Sequence, residues 1–188
     1  QKREIESKLK EKYIERNQDL KLNNDLIKVI VGPRRAGKSF FAIHFLNKQG
    51  KFGYVNFDDE KLIEVENYDE IIVAMNSVYG NPKFVLFDEI QNLPKWELFA
   101  NRLQRQGYNL VITGSNSNLL SKELATHLTG RHLLTNIFPF SFKEYLKFEN
   151  KELITSEIKE KLSQYLLSGG YPEILSKKVE LKEYLSNL

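Results

Sequence analysis

Residues 32 to 39 read Gly32-Pro33-Arg34-Arg35-Ala36-Gly37-Lys38-Ser39, a complete G-x-x-x-x-G-K-S string. It lies between the apolar run Leu26-Ile27-Lys28-Val29-Ile30-Val31 and an apolar segment that begins at Phe40. No other feature constrains the fold as much. A buried strand must feed a tight turn whose backbone N–H groups converge on an anion. A helix must then start at once, so that its N-terminus adds partial positive charge. Strand, glycine loop and helix in this order imply an α/β architecture, and the loop has the chemistry to cradle the phosphates of a nucleoside triphosphate.

Each position in the loop has a physical task. Gly32 and Gly37 let the main chain approach phosphate oxygens, Lys38 sets a compact charge near the β and γ groups, and Ser39 offers a hydroxyl to Mg²⁺. The expected phosphate-binding set is therefore Gly32, Pro33, Arg34, Arg35, Ala36, Gly37, Lys38, Ser39 and Phe40, with ATP or ADP and Mg²⁺ as the bound species. The motif does not require Arg34 and Arg35. They stand at its rim, where they can neutralise phosphate, contact a partner or simply be solvated.

At 188 residues the chain suffices for one domain, or for one domain plus an appended piece, and can bury a proper core. It contains no cysteine and only three scattered histidines, which rules out disulfides and thiolate metal sites and points to a hard cation carried with phosphates. A net charge of +3, from 28 basic and 25 acidic residues, neither argues for nor forbids nucleic acid. No run reaches the roughly 20 apolar residues of a membrane span and no leader pattern is present, so a soluble cytoplasmic protein is the expectation. The start at Gln1 and the helix-like pattern running to Leu188 suggest a piece of a longer chain.

Along the chain, residues 2 to 17 have helical spacing at Ile5, Leu9 and Tyr13, and residues 1–20 are expected to form an N-terminal cover helix. Strands are expected at 52–57, 84–87, 110–112 and 132–138, in addition to the one before the loop. The helices between them are marked by Ile71, Met75, Val78 and Tyr79, by Trp96, Phe99, Ala100 and Leu103, and by a leucine pattern from Asn118 to Leu128. Five strands alternating with helices make a mostly or wholly parallel sheet. From Pro139 the pattern becomes helical. Ser141 and Glu144 form a capping box, Ile158, Leu162, Tyr165 and Leu166 mark an amphipathic helix that stops at Gly169-Gly170, and Pro172 opens another. The expected organisation is a nucleotide-binding domain over 1–138 and a helical appendage over 139–188, the beginning of a C-terminal domain.

A second motif, Phe84-Val85-Leu86-Phe87-Asp88-Glu89, delivers two carboxylates at the end of a strand. In an open parallel sheet that end faces the ligand crevice. Asp88 is then placed to hold Mg²⁺ together with Ser39, and Glu89 to polarise the attacking water. At the end of the next strand, Ser115 and Asn116 can touch the γ-phosphate or hold that water, although a simple turn explains them as well. Arg131, just before the fifth strand, is placed either to reach a neighbouring subunit's γ-phosphate or to be an ordinary surface residue. Catalytic candidates are thus Glu89, Lys38, Ser115, Asn116 and Arg131, and metal candidates Ser39 and Asp88. Trp96, at helical spacing with Phe99 and Leu103, reads as core.

Taken together, the loop Gly32–Ser39, Phe87-Asp88-Glu89-Ile90-Gln91-Asn92 with Trp96, Ile112-Thr113-Gly114-Ser115-Asn116-Ser117, and Leu128-Thr129-Gly130-Arg131 followed by Phe138-Pro139-Phe140-Ser141 resemble the prokaryotic AAA-type P-loop ATPases allied to the AAA+ and STAND classes. The resemblance covers about residues 1 to 175. It implies a sheet of order 5-1-4-3-2 and a preference for adenine. It also implies a C-terminal extension with winged-helix or nuclease-like character, whose entry resembles Ser168-Gly169-Gly170-Tyr171-Pro172-Glu173 here. With that extension would come a DNA or protein partner, a homo-oligomer, and a role for Arg131 in trans. The function expected is Mg-dependent ATP hydrolysis coupled to conformational change. The alternatives are a slow nucleotide-dependent switch and, more remotely, a small-molecule kinase using Asp58 or Asp59. The first helix and the turn before Leu26 are the natural walls for the purine.

Overall fold

The computed structural model describes residues 1–115, 128, 130–149 and 152–177. After a helix α1 (Lys2–Lys10), strands and helices alternate: β1 (Ile27–Gly32), α2 (Lys38–Gln49), β2 (Phe52–Asn56), α3 (Tyr68–Tyr79), β3 (Phe84–Asp88), α4 (Trp96–Arg105), β4 (Asn109–Ser115) and β5 (His132–Asn136). The five strands form one sheet of order β2-β3-β4-β1-β5 with every neighbouring pair parallel, which is the expected 5-1-4-3-2 order read from the other edge. All strands therefore end on the same side, and the phosphate loop, Asp88 and Ser115 share it. The expected helix 118–128 falls largely outside the described residues.

The continuous apolar runs of β1 and β3 follow from burial on both faces. In β1, Ile27, Val29 and Val31 face one core, shared with Ile71, Met75, Trp96, Phe99 and Leu103 of α3 and α4. Ile30 faces the other, shared with Phe41, Ala42 and Leu46 of α2 and with Ile5 of α1. Trp96 is core, as its spacing implies. The strand period of two thus separates the sheet's two helical layers.

The cover helix expected over 1–20 is much shorter. It ends at Lys10, and Glu11 leaves it in extended conformation. From there Ile14, Arg16 and Leu20 all turn inward, which an exposed helix with one narrow apolar stripe does not allow. Tyr13 instead stacks on His44, with centroids 4.2 Å apart and rings nearly coplanar at 3°. Arg16 reaches into the molecule. Its guanidinium donates to the carbonyls of Ala36 and Phe138, pairs with Glu144 at 3.7 Å and lies over the Phe140 ring. Helical periodicity carries no sign of such long-range polar anchoring.

Beyond β5 come α5 (Phe142–Leu146), α6 (Thr155–Ser168) and α7 (Pro172–Lys177). The capping box is formed: Ser141 accepts from the Glu144 N–H, and Glu144 accepts from the Ser141 N–H at 2.8 Å. Phe142, Tyr145 and Tyr165 form an aromatic cluster joining α5 to α6. At Gly170 a Cβ would sit 2.0 Å from the Phe140 carbonyl oxygen, and the Phe140 N–H donates to the Gly170 carbonyl at 2.7 Å. Only glycine permits that approach, which returns the chain to the phosphate loop. The apolar row of α6 is less covered than its pattern suggests: Leu166 is 74% exposed and Ile158 and Leu162 are more than a third exposed.

Candidate nucleotide site

β1 ends at Gly32, where a Cβ would lie 1.9 Å from the Ile137 carbonyl oxygen. The strand can therefore only leave the sheet beside β5 through a glycine. The loop then turns through Arg35 (φ 62°) and Gly37 (φ 91°) into the N-terminus of α2. The interior places Ala36 in the core, leaves Arg34 and Arg35 exposed, and half-buries Pro33, Gly37, Ser39 and Phe40. Lys38 is 5% exposed. Its ammonium folds over the loop and donates to the carbonyls of Gly32 at 3.2 Å and Pro33 at 3.1 Å. Burial pushes the Lys38 pKa down, and the nearby carboxylates of Glu89 and Asp88 oppose that shift.

β3 carries Asp88 to the same place. The carboxylate is 2% exposed and is held from three elements. Ser39 of α2 donates to Oδ1 at 2.7 Å, Thr113 of β4 donates to the same oxygen, and Tyr54 of β2 donates to Oδ2 at 3.0 Å. Burial and the adjacent Asp88 carboxylate push the Tyr54 phenol well up. The Thr113 hydroxyl also accepts from the Glu89 N–H at 3.1 Å. Glu89 itself has φ 51°, a left-handed conformation unusual for a residue with a side chain and of the kind found at functional sites. Its carboxylate accepts from Gln91 Nε2 at 2.6 Å.

A cleft of about 400 Å³ opens over the loop, within the size range of ligand pockets. Its floor is Arg35 to Phe41, and Glu89 stands at its edge. One wall is Lys8 with the extended segment Glu11 to Ile14 and Arg16. The other is Phe140 and Phe148 with Pro172 and Glu173. Of the two segments expected to wall the purine, the first helix lines this cleft through Lys8, and the turn before Leu26 is not part of its lining. Glu173 lies 3.8 Å from Arg35.

The remaining candidates divide. Ser115 ends β4 in register with Gly32, so it reaches the loop's side of the sheet. Asn116 lies outside the described residues. Arg131 precedes β5 at the opposite end: its carbonyl accepts from the Ile27 N–H at 3.0 Å, and its side chain is exposed. The six residues of β1 separate it from the loop, roughly 17 Å at the rise of a parallel strand, so it does not meet its own chain's phosphate site. Asp58 and Asp59, the kinase candidates, are engaged as strand-end groups. Asn92 donates to Asp58 at 2.6 Å, and Asp59 accepts from Gln1 and from the Lys61 N–H. Sequence reasoning missed Tyr54, Thr113 and Arg16. Thr113 was visible as a polar residue late in an apolar strand, whereas Tyr54 looks like any strand aromatic.

The family model described as "AAA domain" matches residues 24–146. An uncharacterized protein, MJ1544, of Methanocaldococcus jannaschii is 41% identical over 201 aligned residues, which cover 98% of this chain and 45% of that protein. An uncharacterized protein of Haemophilus influenzae is 35% identical over 173 residues, covering 86% and 43% respectively. The chain spans less than half the length of these two relatives. Among solved structures, the Walker-type ATPase PABY2304 of Pyrococcus abyssi superposes with a TM-score of 0.50 at 18% identity, over 100% of this chain and 70% of the other, a likeness of fold. The matched family segment contains the phosphate loop, Asp88 and all five strands of the sheet, and on that ground the chain belongs to the AAA-domain family of prokaryotic P-loop ATPases.

Proposed function

We propose that the chain binds ATP with Mg²⁺ in the cleft above the phosphate loop and hydrolyses it. The observation that carries this reading is the Ser39 hydroxyl resting on the Asp88 carboxylate at 2.7 Å. Two hard oxygen donors from separate elements are brought together where the β- and γ-phosphates of a loop-bound nucleotide belong, a donor set that suits Mg²⁺. When bound, the cation would neutralise phosphate charge. The chain's own residues do the rest. The loop amides and the α2 N-terminus hold the phosphates, and Lys38 exchanges its two carbonyl partners for phosphate oxygens. Glu89 orients water and accepts its proton. Ser115 and Asn116 contact the γ-phosphate, and Arg131 serves a neighbouring copy's site if the protein assembles.

Phosphate release from wild type, Lys38→Ala and Glu89→Gln tests the assignment. Glu89→Gln should bind nucleotide yet turn over at least about 100-fold more slowly, the loss expected for a missing general base. Unchanged turnover would remove Glu89 from the mechanism.

A slow switch is the second reading, and one contact favours it. Gln91 holds the Glu89 carboxylate at 2.6 Å, a grip that keeps the base from water until something releases it. In this reading Gln91→Ala raises basal turnover. DNA association, a protein partner and coupling of hydrolysis to motion of the segment from residue 139 onward, read as the start of a C-terminal domain, belong to the same proposal. They concern the longer proteins to which this chain is related.

A further inference from the structure

We infer that Tyr54 is a positioning residue for the metal-bearing carboxylate: its phenol fixes the orientation of Asp88, so that one oxygen faces Ser39 and the phosphates while the other stays committed to protein. The inference rests on the assignment of Asp88 and Ser39 to Mg²⁺ made above, and it concerns a buried residue of β2 that does not line the cleft.

Register explains how a residue of β2 comes to act there. β2 and β3 are parallel neighbours, with Tyr54 opposite Leu86 and Asn56 opposite Asp88. Period two puts Leu86 and Asp88 on one face of the sheet, and Tyr54 shares with Leu86 the core beneath α2. The ring of Tyr54 therefore lies along the α2 face, and its hydroxyl ends diagonally at Asp88 Oδ2, 3.0 Å away. Tyr54 is 2% exposed, and Lys8 of α1 sits 6.0 Å above its ring. A phenylalanine would fill the same space. The one atom it would lack is the hydroxyl aimed at Asp88, and a buried phenol without a partner is costly, so the tyrosine is accounted for by the carboxylate it serves.

The consequence concerns geometry. Asp88 Oδ1 accepts from Ser39 and Thr113, so it is the oxygen on the side of the proposed metal. A carboxylate free to rotate about its last bond would present either oxygen there in turn. With Oδ2 held from β2, that rotation is stopped and Oδ1 alone faces Ser39. Groups that orient a metal ligand in this way typically change metal affinity or activity by about 10- to 100-fold when removed.

The test is Tyr54→Phe, read by Mn²⁺ binding in the presence of ADP, followed by electron paramagnetic resonance. The account expects Mn²⁺ affinity to fall about tenfold, the Mg²⁺ concentration for half-maximal phosphate release to rise by a similar factor, and ADP affinity in chelator to stay unchanged. A thermal melt of the variant checks its fold. In an Asp88→Asn background the same substitution should have no further effect on Mn²⁺ binding, because Tyr54 acts through Asp88. Wild-type Mn²⁺ affinity in Tyr54→Phe would overturn the inference and leave Tyr54 as packing alone, as would a second, additive loss in the Asp88→Asn background. If wild type with bound ADP took up no Mn²⁺ at all, the metal assignment itself would fall, a result distinct from either.

Discussion

At the scale of single residues, the site depends on positions whose replacement has a specific physical cost. Gly32→Ala drives a methyl group into the Ile137 carbonyl, 1.9 Å from where the Cβ must stand. Because the obstacle is backbone, the variant should lose about 3 kcal/mol, read by denaturant melts. Thr113→Val removes a donor from buried Asp88 and an acceptor from the Glu89 N–H. About 1 to 3 kcal/mol of stability should go with it, since valine keeps the volume but satisfies neither group. The motif residues were legible because phosphate chemistry restricts both identity and spacing: glycines for close approach, a lysine, a hydroxyl and paired carboxylates at a strand end. Tyr54 and Arg16 were not. Their roles arise from partners 34 and 128 positions away along the chain, contacts that no local pattern announces.

Elements obey the same division. β1, β3 and α4 could be read from the sequence because burial on two faces and helical spacing leave direct compositional traces. α1 was overread: the spacing of Ile5, Leu9 and Tyr13 continues past Lys10, yet Tyr13 is drawn out of register by its stacking on His44. The pair Arg16–Glu144, which ties this extended segment to α5, makes a prediction of its own. Burial raises the Glu144 pKa, but the bonds from Ser141, the Arg16 charge and the Asn17 N–H outweigh it and hold the carboxyl below its usual value. A carboxylate depressed in the folded state contributes stability that is full above its unfolded pKa of about 4.3 and is lost as pH falls through the lower folded value. Melts from pH 7 down to pH 3 should therefore show a loss of stability in wild type that is smaller in Glu144→Gln, which is already weakened at pH 7.

Across the whole molecule, two walls from opposite ends of the chain meet above one loop. The Lys8-to-Arg16 segment closes the cleft from one side, and Pro172 with Glu173 closes it from the other. Glu173 stands 3.8 Å from the loop's Arg35, so an incoming polyphosphate competes with a carboxylate for that guanidinium. Glu173→Gln should therefore tighten nucleotide binding several-fold, and the gain should shrink as salt screens the charges, a dependence that titrations at low and high ionic strength can check. No helix among the described residues is long and apolar enough to cross a membrane. The strand order was legible only through family resemblance, because alternation of strands and helices allows several parallel orders.

The account depends on one loop and one carboxylate meeting around a single magnesium-bound polyphosphate. Calorimetric titration of MgATP into wild type, Lys38→Ala and Asp88→Asn examines that meeting directly. The account predicts saturable one-site binding to wild type, a loss of at least tenfold in Lys38→Ala, and in Asp88→Asn a loss confined to titrations containing Mg²⁺. Equal affinity in all three proteins, or no heat of binding to wild type, would contradict it.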